Sequence, residues 1–203
     1  YFIEKGKLKN LDFRYSITTN GTLLNKQVIT FLEENNFSLT ISSDGPEFIQ
    51  DKQRPFKNLK GSAKKVQSGI KLALNSGLRE NFTLRVTITE SSVKFLSEIS
   101  SYFNRLGVQR LFLSPVSSPD SLGVIKKIIN HFREVLLEAV ISQNYSEINK
   151  ISNLNSLLHR FLSEKLNRQF CPAGKNYFSV DTMGCVYLCH RFVGNKLFLL
   201  TEF

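Results

Sequence analysis

The spacing of apolar and polar positions changes between two periods along the first half of the chain. Stretches with alternating apolar and polar side chains, or with consecutive β-branched residues, predict strands at residues 12–18, 37–41, 84–88 and 108–113. Apolar residues three or four positions apart predict intervening helices at residues 23–35, 62–76 and 93–103. Four strands that alternate with three helices are typical of a parallel α/β sheet, either open or closed into a barrel.

Two local features complete this part of the pattern. Gly77 follows the second predicted helix, and it is expected to form the C-cap because glycine tolerates the left-handed conformation found there. Residues 47–60 are polar, and no helix or strand is predicted in them.

The pattern changes after residue 120. Helical spacing predicts a long helix at 122–140 and a second helical stretch at 145–166. From Phe170 onward a short strand, the turn Asp181–Gly184 and a returning strand predict a small β-hairpin module. We therefore expect three parts: a partial barrel at 1–120, a helical connection at 121–168, and the hairpin module at 169–203.

Composition and charge exclude several classes of protein. Apolar residues make up 41% of the 203 residues, which is enough for a packed core. No apolar run reaches the 18 residues of a membrane span, and no signal segment opens the chain, so a cytoplasmic protein without a membrane partner is expected. The net charge of +10 is scattered, which favours a general solubility bias over a nucleic-acid partner. The first residue is Tyr, so we expect the natural start to be missing or trimmed.

The three cysteines all lie in the last part of the chain. Cys171, Cys185 and Cys189 form an odd and clustered set, and His190 follows directly. Such a set is not a disulfide framework, so metal ligation or buried thiols remain as interpretations. Thiolates and imidazole suit an iron–sulfur cluster or a Cys3His zinc site. A CxxxCxxC motif is excluded, because Phe192 stands where its third cysteine would be.

The sequence around these cysteines resembles a known family. Cys171, a spacer of twelve residues, Gly184, four residues and Cys189 are similar to the opening of a SPASM domain in radical SAM enzymes. Upstream, the run TNGTLL at 19–24 and the run TISSDGP at 40–46 resemble strand-end motifs of the radical SAM barrel. The run from Gln50 to Arg54, followed by Gly61, is similar to the "HDxxR…G" loop of that barrel, with Gln50 in place of His.

The resemblance implies roles for individual residues. Asn20, Ser42 and Asp44 would lie at the rim where the family binds S-adenosylmethionine, and Arg54 would contact a carboxylate of the cofactor or substrate. From the residues alone, Asn20 is a turn residue and Ser42 and Asp44 are strand-end caps. Cys171 and Cys189 map onto ligands of the first auxiliary 4Fe–4S cluster. Cys185 has no regular counterpart and is either a thiol beside the cluster or, like His190, a substitute ligand.

The resemblance also implies an activity. The family cleaves S-adenosylmethionine reductively, and its peptide- or protein-modifying members, such as peptide maturases and sulfatase maturases, abstract hydrogen from their substrate. The 203 residues contain no CxxxCxxC motif, so this chain is expected to be the C-terminal part of such an enzyme and to be inactive alone. The alternative is a non-catalytic zinc-binding or peptide-binding α/β module. The oligomeric state stays open.

Overall fold

The computed structural model describes Glu4 and residues 14–117, 121–163, 173–175 and 177–201. The chain divides into two compact units, Tyr1–His159 and Arg160–Phe203. The three-part division expected from the sequence stays a prediction.

A four-stranded parallel sheet forms the centre of the first unit. Its strands lie in the order of the sequence: β1 Ser16–Thr19, β2 Ser38–Ser42, β3 Phe82–Ile88 and β4 Leu111–Pro115. All neighbouring pairs are parallel. The predicted parallel α/β architecture is therefore confirmed.

Helices connect these strands. They are α1 Lys26–Glu34, α2 Glu47–Gln53, α3 Ala63–Leu74 and α4 Leu96–Arg105. Helix α2 lies in the polar stretch where the sequence predicted no element. The prediction for Gly77 is wrong, because α3 is capped at Asn75 and Gly77 opens a 3-10 turn over Gly77–Asn81. The buried Leu78 lies in this turn, and the Ser76 hydroxyl accepts a hydrogen bond from the Leu78 N–H at 3.2 Å.

The two faces of the sheet differ in chemistry. One face is apolar and buried beneath the helices: Leu39, Ile41, Leu84, Val86, Ile88, Leu111 and Leu113. The other, which we call the polar face, carries the alternate side chains Ser16, Thr18, Ser38, Thr40, Ser42, Thr83, Arg85, Thr87, Phe112 and Ser114. All of these are partly or fully exposed. Parallel sheets covered on both faces have near-continuous apolar strands, so this alternation is unusual.

Three further helices follow the sheet. They are α5 Ser121–Ser142, α6 Ser146–Lys150 and α7 Ser152–Leu162. Val124 and Ile128 of α5 and Leu154 of α7 join the apolar core of the sheet. No helix among the described residues is both long and apolar enough to cross a membrane.

The second unit contains a small antiparallel sheet. Its strands are β5 Ser179–Val180, β6 Val186–Tyr187 and β7 Leu199–Thr201, paired in that order. The Asp181 carboxylate accepts hydrogen bonds from the N–H groups of Met183 at 2.8 Å and Cys185 at 3.0 Å, and Gly184 has a φ of +87°. The predicted hairpin and its turn are confirmed, whereas β7 was not predicted.

The edge of the large sheet at β4 is closed by one side chain. Asn153 of α7 donates from Nδ2 to the Leu113 carbonyl at 2.9 Å and accepts at Oδ1 from the Leu113 N–H at 3.3 Å. Ile151, two residues before Asn153, forms an isolated parallel bridge with Leu111. The Asn153 amide therefore continues the hydrogen-bond ladder in place of a fifth strand.

Replacing Asn153 tests this arrangement. We expect Asn153→Ala to lower the free energy of unfolding by about 1–3 kcal/mol, because it leaves two backbone groups of Leu113 unpaired at a partly buried edge. Urea denaturation measures the change. Asn149→Ala, at an exposed position of α6, is the matched control and should change stability by less than about 0.5 kcal/mol. Equal effects of the two substitutions would contradict this role of Asn153.

Candidate functional site at the carboxyl ends of the strands

The carboxyl ends of β1, β2 and β3 bring the predicted cofactor residues to one edge of the sheet. Asn20 follows β1, Ser42 ends β2, and Asp44 lies two residues beyond it. Thr87 lies near the end of β3. Ligands of open parallel sheets and of parallel barrels bind at this edge, because the loops there are free to carry polar groups.

The turn after β1 holds Asn20. Its Oδ1 atom accepts hydrogen bonds from Thr22 N at 3.1 Å and Thr22 Oγ1 at 2.8 Å, as expected of a turn residue. Gly21 has a φ of +76°, and its carbonyl oxygen lies so close to Gly69 of α3 that a β-carbon there would collide with it. This close approach explains a glycine in the middle of α3, where it otherwise lowers helix stability. The exposed Asn20 retains an amide nitrogen for which the described residues offer no partner.

Ser42 lies on the polar face. Its hydroxyl makes no hydrogen bond with any side chain or backbone group that the structure describes, so it can bind a ligand at this edge. Its Cα partner on β3 is Arg85, which is exposed and forms no ion pair within the described part of the chain. A guanidinium beside Ser42 is suited to bind a carboxylate.

Arg85 was not predicted from the sequence to be a site residue. The available signal was a charged residue between the buried residues Leu84 and Val86 of an alternating strand. That position places Arg85 on the same face as Ser42.

Asp44 and Arg54 are brought together, and they contact each other. Arg54 donates from Nε to Asp44 Oδ2 at 2.7 Å and from Nη2 to Asp44 Oδ1 at 3.2 Å. The Thr87 N–H donates to Asp44 Oδ1 at 2.9 Å, and Arg54 Nη2 donates to Thr87 Oγ1 at 3.0 Å. The Asp44 side chain is 2% exposed and that of Arg54 is 34% exposed. Both carboxylate oxygens are thus used internally, whereas the guanidinium remains accessible at the strand ends.

Gln50 holds the loop that carries Asp44 and Arg54. Its Oε1 accepts from Asp44 N at 2.8 Å and from Ser43 Oγ at 3.4 Å, and its Nε2 donates to Ser62 Oγ at 3.0 Å. The Ser62 hydroxyl in turn donates to the Arg54 carbonyl at 2.6 Å. Gln50 is 1% exposed, so these bonds form in a dry environment where they specify one loop conformation.

Asp51 performs a second structural task in the same loop. Its Oδ1 accepts from the Ala63 N–H at 2.7 Å at the start of α3, where Ser62 provides no side-chain cap. Gly61 lies against the Asp51 carboxylate, and a β-carbon at that position would collide with it. The run from Gln50 to Arg54 is therefore a scaffold whose last residue faces the candidate site.

The cysteine module is described in part. Cys171 lies outside the described residues. Cys189 is buried and Cys185 is half-buried. His190 Nδ1 lies 3.6 Å from Cys189 Sγ and 2.9 Å from the Tyr177 hydroxyl. Among the described residues no group of three or more His, Cys, Asp or Glu side chains could hold a metal ion. The predicted ligand set of Cys171, Cys185 and Cys189 stays a prediction, because it includes a residue outside the described part of the chain.

Comparisons with known proteins find relatives that match part of the chain. No protein-family profile matches the chain. A cysteine-type anaerobic sulfatase-maturating enzyme of Clostridium novyi is 32% identical over 118 residues, which are 58% of this chain and 31% of that enzyme. An uncharacterized protein of Methanocaldococcus jannaschii is 26% identical over 189 residues, 91% of this chain and 60% of that protein. The chain thus spans less than two thirds of the length of each of these relatives.

Solved structures show the same fold. The enzyme anSMEcpe with bound AdoMet superposes with a TM-score of 0.82 at 23% identity, covering 98% of this chain and 56% of that one. A second structure of anSMEcpe, with AdoMet and the Cp18Cys peptide, has a TM-score of 0.76 at 23% identity, with coverages of 98% and 57%.

The fold is therefore a partial (β/α) barrel of the radical SAM type, followed by helices and a small β module. The resemblance to radical SAM enzymes with a SPASM domain, predicted from the motifs, is confirmed. The relative of Clostridium novyi and a further relative of Bacteroides thetaiotaomicron are both named as anaerobic sulfatase-maturating enzymes.

The Asp44–Arg54 pair can be tested by substitution. We expect Arg54→Leu to lower the free energy of unfolding by about 2–3 kcal/mol, because the buried Asp44 carboxylate loses its countercharge. Asp44→Asn should cost less, since its amide oxygen still accepts from Thr87 N. Urea denaturation at neutral pH measures both. Arg79→Leu is the control, at an exposed position outside any ion pair in the described residues. A loss for Arg54→Leu no larger than for this control would contradict the structural role of the pair.

Proposed function

We propose that this chain supplies the S-adenosylmethionine-binding strand ends and the start of the SPASM module of a radical SAM enzyme that modifies a peptide or protein. In such enzymes the cofactor and its iron–sulfur cluster supply the radical that abstracts hydrogen from the substrate. The observation that carries the proposal is the polar face of the parallel sheet, on which Ser42 is the last residue of β2.

The side chains of the polar face are suited to line a ligand cavity. Serine and threonine side chains on one face of a parallel sheet would be costly against an apolar layer, because their hydroxyls would lose hydrogen bonds to water. They are suited to the interior of a barrel that contains a polar cofactor. The apolar face is already covered by the helices of the same unit.

The contacts of individual residues support a proposed role for each. Ser42 would bind the sugar or methionine part of the cofactor with its unused hydroxyl, and Asn20 would border the same rim with its amide nitrogen. Arg85, or the accessible side of Arg54, would bind a carboxylate. Asp44 would position Arg54, since both of its oxygens are engaged by Arg54 and Thr87.

The hairpin module would hold the auxiliary cluster. Thiolates are the usual ligands of a 4Fe–4S cluster, and Cys171 and Cys189 would contribute two of them. Cys185 and His190 would be candidates for the two remaining ligand positions, or Cys185 would lie beside the cluster as a free thiol. A peptide substrate is supported by the sulfatase-maturating relatives and by the peptide bound in one structural neighbour.

Cofactor binding, rather than turnover, gives the direct test. The 203 residues lack CxxxCxxC, and this chain alone is expected not to cleave S-adenosylmethionine. We expect the chain to bind S-adenosylmethionine in isothermal titration calorimetry, and Ser42→Ala to weaken binding about tenfold, or about 1.4 kcal/mol. Ser38→Ala, on the same face but at the opposite end of β2, should leave the affinity unchanged. No binding, or equal losses for the two variants, would contradict the proposed site.

Metal analysis tests the second part of the proposal. After anaerobic reconstitution with iron and sulfide, we expect about four irons and four sulfides per chain, as in one 4Fe–4S cluster. Cys171→Ala and Cys189→Ala should each lose most of this content, whereas Ser179→Ala in the same module should retain it. One zinc ion without sulfide would instead favour the non-catalytic zinc-binding alternative.

A further inference from the structure

His190 lies between the buried sulfur of Cys189 and the hydroxyl of Tyr177. Its Nδ1 atom is 3.6 Å from Cys189 Sγ and 2.9 Å from Tyr177 Oη. The rings of His190 and Tyr177 meet edge to face, with centroids 6.0 Å apart. Among the described residues, His190 makes the one hydrogen-bond contact to the Cys189 sulfur. The described hydrogen bonding of this sulfur therefore depends on His190 alone.

Tyr177 is held in place by the backbone around it. Its carbonyl accepts a hydrogen bond from the Gly174 N–H at 3.0 Å. Gly174 has a φ of +73° and lies so close to Leu188 that a β-carbon there would collide with the Leu188 side chain. The segment that carries Tyr177 thus packs against the residue before Cys189. The Tyr177 hydroxyl consequently favours one orientation of the His190 ring.

The position of the imidazole proton decides what the contact with sulfur does. A neutral imidazole donates from one ring nitrogen and accepts at the other. A thiol can donate to an unprotonated Nδ1, whereas a thiolate ligand of iron has no proton to donate. Beside a thiolate, the contact is favourable when the Nδ1 of His190 carries the proton. The Nδ1–H then donates to the sulfur, and the Tyr177 oxygen is its second acceptor.

The contacts fit Cys189, rather than His190, as a cluster ligand. Cys189 is in no disulfide, so its sulfur is available to a metal. A ligating imidazole directs the lone pair of one nitrogen at the metal, and its other nitrogen donates to an acceptor. The Nδ1 atom of His190 instead faces the Tyr177 hydroxyl and the Cys189 sulfur. As a hydrogen-bond donor it needs no change of position.

We propose that His190 is a positioning residue of the auxiliary 4Fe–4S cluster, and that its Nδ1–H donates a hydrogen bond to the Cys189 thiolate. This inference rests on the proposed function, in which Cys189 is a cluster ligand. Hydrogen bonds to the sulfurs help to set the reduction potential of such clusters, because a donor stabilises the more negative reduced form. The proposal removes His190 from the candidate ligands and leaves Cys185.

The test uses the whole chain after anaerobic reconstitution with iron and sulfide. The amide nitrogen of asparagine lies two bonds beyond the β-carbon, as Nδ1 does, so His190→Asn keeps a donor that His190→Leu removes. We expect both variants to keep about four irons per chain. His190→Leu should lower the equilibrium constant for one-electron reduction about tenfold, which makes the midpoint potential about 59 mV more negative. His190→Asn should stay within about threefold of wild type.

A redox titration followed by EPR measures the potential, and iron analysis measures the cluster content. His159→Leu, at an exposed position of α7, is the control and should change neither. Loss of the cluster from either His190 variant would overturn the inference, because His190 would then be needed to hold it. An unchanged potential in His190→Leu, or equal shifts in the two variants, would also overturn it.

The same samples separate this inference from the proposed function. A wild-type chain that takes up no iron and sulfide rejects the proposed cluster, and the role of His190 with it. A cluster that forms on the wild-type chain, but whose potential does not depend on His190, rejects the role of His190 alone.

Discussion

The difference between the two faces of the parallel sheet is the constraint on which the other features of the structure depend. Leu39, Ile41, Leu84 and Val86 bury one face beneath helices, and they join the helix side chains in one apolar core. The other face cannot contribute in the same way, because its serine, threonine and arginine side chains need water or a polar partner. The helices must therefore lie on one side, and the strands present polar groups on the other. This arrangement leaves the carboxyl ends of the strands accessible, and Asn20 and Ser42 lie there.

The loop after β2 shows how a rim of this kind is kept in place. Its polar residues contact one another before they contact any ligand: Asp44 binds Arg54 and Thr87, Gln50 binds the Asp44 N–H and Ser62, and Asp51 binds the Ala63 N–H. These bonds connect the end of β2 to β3 and to the start of α3. A buried network of this type rigidifies a loop because each member would be costly if left unpaired. The accessible part of Arg54 is thereby fixed relative to β3.

The sequence predicted the repeating strand–helix order well, because each element has a clear apolar period and the polar turns separate them. The family resemblance implied that Asn20, Ser42 and Asp44 lie at one rim and that Arg54 contacts a carboxylate, and their roles in binding stay predictions. The sequence did not predict α2, whose short polar sequence has only Ile49 and Gln50 buried. The sequence did not distinguish residues that can contact a ligand from residues that hold the loop in place. Asp44 holds the loop, because Arg54 and Thr87 come from distant parts of the chain and both bind its carboxylate. Arg85 was missed because only the register with Ser42 places it at the rim.

Polar residues at the strand ends are of two kinds: some stabilise the loop, and others have side-chain groups without a partner among the described residues. Gln50 and Asp44 stabilise the loop, so their identity is explained by the folded chain alone. The Ser42 hydroxyl is partly exposed and forms no hydrogen bond with the described residues, so the folded chain alone does not explain it. Ser42 ends β2, and its Cα partner Arg85 lies on the neighbouring strand β3. The polar groups that the folded chain leaves unused at the strand ends therefore come from two neighbouring strands, and the register of the sheet brings them together.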